Sequence, residues 1–187
     1  MSWKLIISMI TLVAASAPAM WFFVMHDYQK QRVLTFLNPE SDPLGTGWNI
    51  IQSKTAIGSG GIHGKGYLLG TQSQLEFLPE SHTDFIISVL AEELGLVGVM
   101  LLLTLYFLII MRCLYLSTQC ETLFGRLLSG SIAVTFFIYV FVNIGMVSGI
   151  LPIVGVPLPL VSYGGTSVVS LLLAFGLIMS MYTHRQD

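Results

Sequence analysis

Charge is scarce in this sequence. Of 187 residues only 10% are charged, eight of them basic and ten acidic. A soluble domain carries about a quarter charged residues, so a water-facing globule is excluded. The Lys and Arg residues gather in no cluster, and the net charge of −2 leaves no electrostatic footprint for a nucleic-acid partner. Cysteine is nearly absent as well. Cys113 and Cys120 stand seven apart with no His pair beside them, which argues against a disulfide framework and against a thiolate metal site. Internal repeats and low-complexity tracts are missing. What remains is 54% hydrophobic with a mean hydropathy of +0.79, the composition of a membrane protein.

The apolar residues fall into four runs, at about 5–25, 85–111, 127–151 and 163–182, each near the ~20 residues that cross a hydrocarbon core. The first follows Lys4 as a signal peptide would, yet it continues through Trp21, Phe22, Phe23 and Met25, the length of a span. The reading is an all-α, polytopic membrane protein with four transmembrane helices in a single membrane domain, 1–187. Lys4, Arg112, Arg126 and Arg185 fall on one side of that arrangement. The positive-inside rule makes it the cytoplasmic side, which holds both termini and leaves 26–84 and 152–162 outside. The outer loop 26–84 is too long for a plain linker. Within it 26–37 has the spacing of an interfacial helix, 38–43 is a turn cluster, and 48–57 predicts a second surface helix with Trp48 as anchor.

Three stretches hold residues able to carry chemistry. "GSGGIHGKG", 58–66, contains a Gly-Lys step but fails as a P-loop, because Ser59 stands where the first glycine belongs and Gly66 where a Ser or Thr would hold magnesium. It reads as a tight turn, or as a loop whose N–H groups and Lys65 contact an anionic head group. In "PESHTD", Ser81 and Asp84 have the spacing of a capping box at the mouth of the second span. A helix N-terminus favours a carboxylate, so a capping Asp84 and a proton-accepting or cation-binding Asp84 are compatible. Ser88 and Glu92 follow at four and eight residues, near the same helix face. At membrane depth Glu92 and Glu93 face a polar interior; the alternative is that they bond to neighbouring helices or sit higher than the span boundary suggests. Finally, "GILPIVGVPLPLVSYGGTS" breaks lipid-grade sequence with three prolines and several glycines, and irregular backbone survives there only when buried or lining a cavity. Ser162 is placed to cap a new helix, with Gly164 and Gly165 offering N–H groups to an anion.

"LPESHTDFIISVLAEELGLVG" and "NIGMVSGILPIVGVPLPLVSYGGTS" together resemble the signatures of the SEDS family (shape, elongation, division and sporulation proteins). "AIGSGGIHGKGYLLGTQSQLEFLPE" is more similar to the RodA branch of that family than to the FtsW branch. The resemblance runs from end to end. It implies a peptidoglycan glycosyltransferase of the bacterial inner membrane that polymerises lipid II during elongation and rod-shape maintenance. It implies a class B penicillin-binding protein as crosslinking partner within the elongation machinery. On Asp84 it implies the essential carboxylate that deprotonates the acceptor sugar, with a divalent cation (Mg or Mn) and no nucleotide. Lys65, Ser88, Glu92, Ser162, Gly164 and Gly165 are the candidates for holding substrate. Family members carry more spans than the four here, which points to a fragment or a truncated frame. A lipid II transporter and a noncatalytic scaffold are the alternative readings.

Overall fold

The computed structural model describes residues 3–41, 46–71 and 83–183. All regular structure among them is helical. Helix α1, Trp3–Ala19, passes into a π-helical turn at Met20–Val24, and α2 follows at Asp27–Leu37. A 3₁₀ turn at Pro39–Ser41 leads to α3, Thr46–Gly60. The remaining helices are α4, Ile86–Gln119; α5, Leu123–Val147; and α6, Gly165–Thr183. The two surface helices and the described part of the turn between them, Pro39–Ser41, thus form where their residue spacing predicts; 42 and 43 lie outside the described residues.

Among the described residues three helices, α4, α5 and α6, are long and apolar enough to cross a membrane. Helix α1 has 17 residues and runs on into the five of its π turn, so the two together approach the ~20 that a span needs. The spans begin and end a few residues from their predicted bounds, and α4 runs eight residues past Met111 before Cys120 ends it. The turn into α5 is tight. Thr122 caps that helix by accepting from Gly125 N at 3.1 Å, Ser117 Oγ donates to Arg126 O at 2.8 Å, and Arg126 Nη2 donates to Cys120 O at 3.2 Å.

Packing follows from small residues at facing positions. Gly125, Ser129, Ala133, Phe136, Val140 and Asn143 recur every three or four residues along α5 and are all buried. The small members let the backbones approach closely, as membrane helix pairs require. A column of edge-to-face aromatics joins all three spans, with Tyr106 and Phe136 centroids 5.9 Å apart and Phe136 and Phe175 5.3 Å apart. Helix α3 lies across the end of α5 near Val147, burying Ile50, Ser53 and Ala56, and Ser53 Oγ donates to Val147 O at 3.0 Å.

The second span departs from the single rod expected of it. At Gly95 the backbone turns to φ 66°, ψ −163°, and α4 breaks into a short arm, 86–94, and a long arm, 96–119. The arms do not share an axis. Tyr106 Oη donates to Pro159 O at 2.6 Å, while Ser162 Oγ accepts from Leu158 N at 2.7 Å and donates to Thr83 O. Residues 83 and 106 therefore reach one turn, 158–162. A straight helix would hold them about 34 Å apart, far beyond what so short a turn can bridge even when extended, about 17 Å. The short arm is folded back toward the segment 60–66, so Ser88 and Glu92 do not descend along the span below Asp84.

Candidate functional site

The site is built from the ends of separate elements. Asp84 lies in the turn before α4, half-buried, two residues ahead of Ile86. The helix starts from Phe85, which makes no side-chain cap, so Asp84 precedes the cap position; Ser81 lies outside the described residues. Two clasps hold the backbone here. Asn143 Nδ2, from α5, donates to Asp84 O at 3.0 Å and to Val156 O at 2.7 Å. Ser162 Oγ joins Thr83 O to Leu158 N. Asn143 and Ser162 are 0% and 5% exposed, so these bonds are dry and costly to break.

The loop 152–162 passes beside the carboxylate at Gly155. A Cβ built on Gly155, whose φ is 79°, would stand 3.3 Å from Asp84 Oδ2, so this glycine lets the backbone pass beside the acid. The loop hangs from α2 through Arg32, whose Nη1 donates to Ile153 O at 3.1 Å and Val154 O at 3.2 Å. Tyr106 holds its other side at Pro159 O. Leu160 takes the left-handed backbone, φ 65°, a conformation that costs an L residue about 1–2 kcal/mol and here sits beside the candidate site.

At the root of the short arm the glycine-rich stretch is neither a free turn nor an open anion cradle. It is spliced into the helix break. Lys65 N and Gly66 N donate to Glu92 O and Glu93 O at 2.9 and 3.0 Å. Leu96 N and Val97 N donate to Gly61 O and Ile62 O at 2.9 and 3.2 Å. These four bonds satisfy groups that a broken helix leaves orphaned. The side chains repeat the union. Glu92, wholly buried, accepts on Oε1 from Lys65 Nζ at 2.7 Å, from Thr71 N at 2.8 Å and from Thr71 Oγ1 at 3.0 Å. Lys65 Nζ also donates to Thr71 Oγ1 at 2.8 Å.

The fold thus brings Asp84 and Ser162 together and joins Lys65 to Glu92 at the far end of the short arm. Ser162 is not the cap of α6, which begins at Gly165; its hydroxyl is occupied by Thr83 and Leu158. Gly164 and Gly165 stand at the start of α6, two and three residues from Ser162. Ser88 Oγ is buried one turn behind Asp84 with no hydrogen-bond partner, and so is Asn143 Oδ1. Among the described residues no group of three His, Cys, Asp or Glu side chains gathers around a point; Glu76, Glu80 and His82 lie outside them. Sequence reasoning did not single out Asn143, Arg32, Gly155 or Thr71 as site residues. Asn143 carries a usable signal, a lone amide in an apolar helix. The other three are chosen by distant chain segments and have none.

Two grooves run along the spans. One, of about 540 Å³, lies between α4 and α5 and is walled by apolar side chains including Phe107, Phe137 and Phe141. The other, of about 460 Å³, lies between α5 and α6, touches Pro157 and Pro159, and carries hydroxyls from Thr135, Tyr139 and Ser167.

An all-helical, multi-pass membrane protein with a clasped, half-buried carboxylate at a helix mouth is the class these features define. The chain matches, over residues 1–187, the family described as cell cycle protein, that of FtsW, RodA and SpoVE, and it belongs to that family. It is 64% identical over 186 residues to the peptidoglycan glycosyltransferase MrdB of Escherichia coli (strain K12), covering 100% of this chain and 50% of that protein. It is 48% identical over 158 residues to the peptidoglycan glycosyltransferase RodA of Treponema pallidum (strain Nichols), covering 84% and 36%. Among solved structures, one of a peptidoglycan synthase complex superposes with a TM-score of 0.77 at 34% identity, over 99% of this chain and 51% of that one. A mutant of the rod shape determining protein RodA from Thermus thermophilus gives 0.56 at 27% identity, over 94% and 64%. The chain spans about half the length of its Escherichia coli relative.

Proposed function

We propose that this chain forms the acid-bearing half of a peptidoglycan glycosyltransferase that polymerises lipid II during cell elongation. The observation that carries the reading is the placement of Asp84, a half-buried carboxylate whose own and preceding backbone carbonyls are held by Asn143 and Ser162. A general base must be held rigidly and yet stay open to its substrate, and this arrangement supports both demands. In the proposed step Asp84 takes the proton of the acceptor sugar's 4-hydroxyl. That oxygen then bonds to the donor's anomeric carbon with inversion, the bond from that carbon to phosphate breaks, and undecaprenyl pyrophosphate departs. The proton leaves Asp84 to water afterwards.

The N–H groups at Gly164 and Gly165 open α6 close to Ser162 and suit the departing pyrophosphate. The grooves along the spans suit the polyprenyl chains of donor and acceptor. A single carboxylate beside a diphosphate fits a magnesium or manganese ion, which is commonly held by one or two carboxylates plus substrate phosphates, and Asp84 is the residue that would hold it. When bound, such an ion would offset charge on the leaving group. Ser88 lies behind Asp84, on the buried side of the short arm, which favours support over substrate contact. The donor is already activated, so no nucleotide is needed.

The same reading places the protein in the bacterial cytoplasmic membrane with four spans, both termini of this chain inside and 26–84 outside. A class B penicillin-binding protein is the proposed partner, since a solved relative is described as coordinating polymerisation with crosslinking in a synthase complex. The test is polymerisation of labelled lipid II by the full-length protein. Asp84→Ala should lower the rate by about 10²-fold or more, the range of a lost general base. Parental polymerisation by Asp84→Ala would remove the base assignment. Lipid II translocation that persists in that variant while polymerisation is absent from the parent would favour a transporter.

A further inference from the structure

We propose that Lys65 and Glu92 form a positioning latch for Asp84. The proposal rests on Asp84 as the reactive group, and it gives Lys65 a role other than substrate contact. Glu92 is 0% exposed, and a carboxylate at that burial needs a countercharge. Lys65 supplies it from the glycine-rich loop at 2.7 Å, so the ion pair bridges loop and short arm beside the break in α4. Using the Lys65 ammonium on a substrate would leave Glu92 buried without that charge.

The junction has no slack. A Cβ on Gly60 would fall 1.9 Å from Ala91 O, one on Gly64 2.1 Å from Glu93 O, and one on Gly95 2.3 Å from Gly64 N. Backbone meets backbone at all three positions, and the latch clamps the root of the arm there. Asp84 stands eleven residues from Gly95, about 16 Å by helical rise, so a tilt of about 4° at the break shifts it by about 1 Å. Misplacement of a reacting group by about 1 Å can cost about 10²-fold in rate. Asn143 and Ser162 hold the outer end of the arm, and the latch sets the angle at which the arm reaches them.

The test uses the full-length protein and two readouts. Lys65→Met should lower kcat for lipid II polymerisation about 10- to 100-fold with KM held within about twofold, and Lys65→Arg should retain most of it. The double variant Lys65→Met/Glu92→Gln removes the stranded charge and should recover most of kcat. The second readout is independent of catalysis. Asp84→Cys is labelled with a membrane-impermeant maleimide, and adding Lys65→Met should change the labelling rate severalfold, with Glu92→Gln restoring it. A loss confined to KM would make Lys65 a substrate contact and overturn the latch. Labelling unmoved by Lys65→Met would overturn it too. If Lys65→Met fails to fold, the Lys65→Arg and double variants carry the same comparison. A labelling shift together with active Asp84→Ala would sink the base reading while the latch stands.

Discussion

Gly95→Ala should be among the most damaging single-methyl changes in this protein. The backbone there, at φ 66° and ψ −163°, lies where essentially only glycine goes, and an alanine forced into it costs about 1–3 kcal/mol. The methyl would also arrive 2.3 Å from Gly64 N and 2.6 Å from Ile62 O, which are backbone atoms with no rotamer to yield. The loop must therefore retreat and give up the four bonds it makes to Glu92 O, Glu93 O, Leu96 N and Val97 N. At about 1 kcal/mol each, with the strain added, the loss is about 5–7 kcal/mol, comparable to the whole stability of many domains. Gly58→Ala is the matched control. It lies inside α3 with nothing within 4 Å of a built Cβ, so it should be neutral or stabilising by about 0.5–1 kcal/mol. The assay is thermal melting of the detergent-solubilised full-length protein, followed by size exclusion, with limited proteolysis at 61–66. Gly95→Ala should not yield a monodisperse folded peak, or should open the loop to protease, while Gly58→Ala behaves as the parent. A Gly95→Ala protein that melts with the parent and keeps its loop protected would refute the splice.

Other clasps give smaller effects. Asn143→Ala leaves Asp84 O and Val156 O without their donor and should cost about 2–4 kcal/mol in melting experiments, with polymerisation falling alongside; an unchanged melt would mean the two carbonyls find water instead. Arg32→Met frees the loop at Ile153 O and Val154 O, and because Arg32 is only half-buried the expected loss is about 1–2 kcal/mol, seen as faster proteolysis of 152–162. Arg32→Lys keeps the charge but not the guanidinium geometry and should recover part of it. Ser88→Ala removes a buried hydroxyl that has no partner, so its melt should match or exceed the parent's by up to about 1 kcal/mol; a lower melt would reveal a buried water bonded there.

The membrane class of this protein is legible in composition alone, because a chain with so little charge and so much apolar sequence cannot solvate a folded surface. Long apolar runs predicted the helices now seen as α4, α5 and α6, and residue spacing predicted α2 and α3, since these depend on local hydrophobic patterning. The polar residues Asp84, Ser88, Glu92 and Ser162 stood out for a related reason, their rarity in such surroundings. Their roles were another matter. Ser162 reads as a helix cap by local spacing, yet it bonds to Thr83, 79 residues away. Glu92 reads as lying below Asp84, because a period of 3.6 residues assumes an unbroken helix. The break at Gly95 is invisible locally: Gly95 and Gly98 near the start of a long apolar run look tolerated, and only the docking of 60–66 makes the turn stable. Arg32, Asn143 and Gly155 enter the site from three distant segments for the same reason. Sequence by itself determined which segments are helical and which rare polar groups demand a partner, since both follow from local pattern and the cost of burying charge. Which group meets which was decided by the tertiary structure, because those bonds exist only once distant backbones are brought within 3 Å.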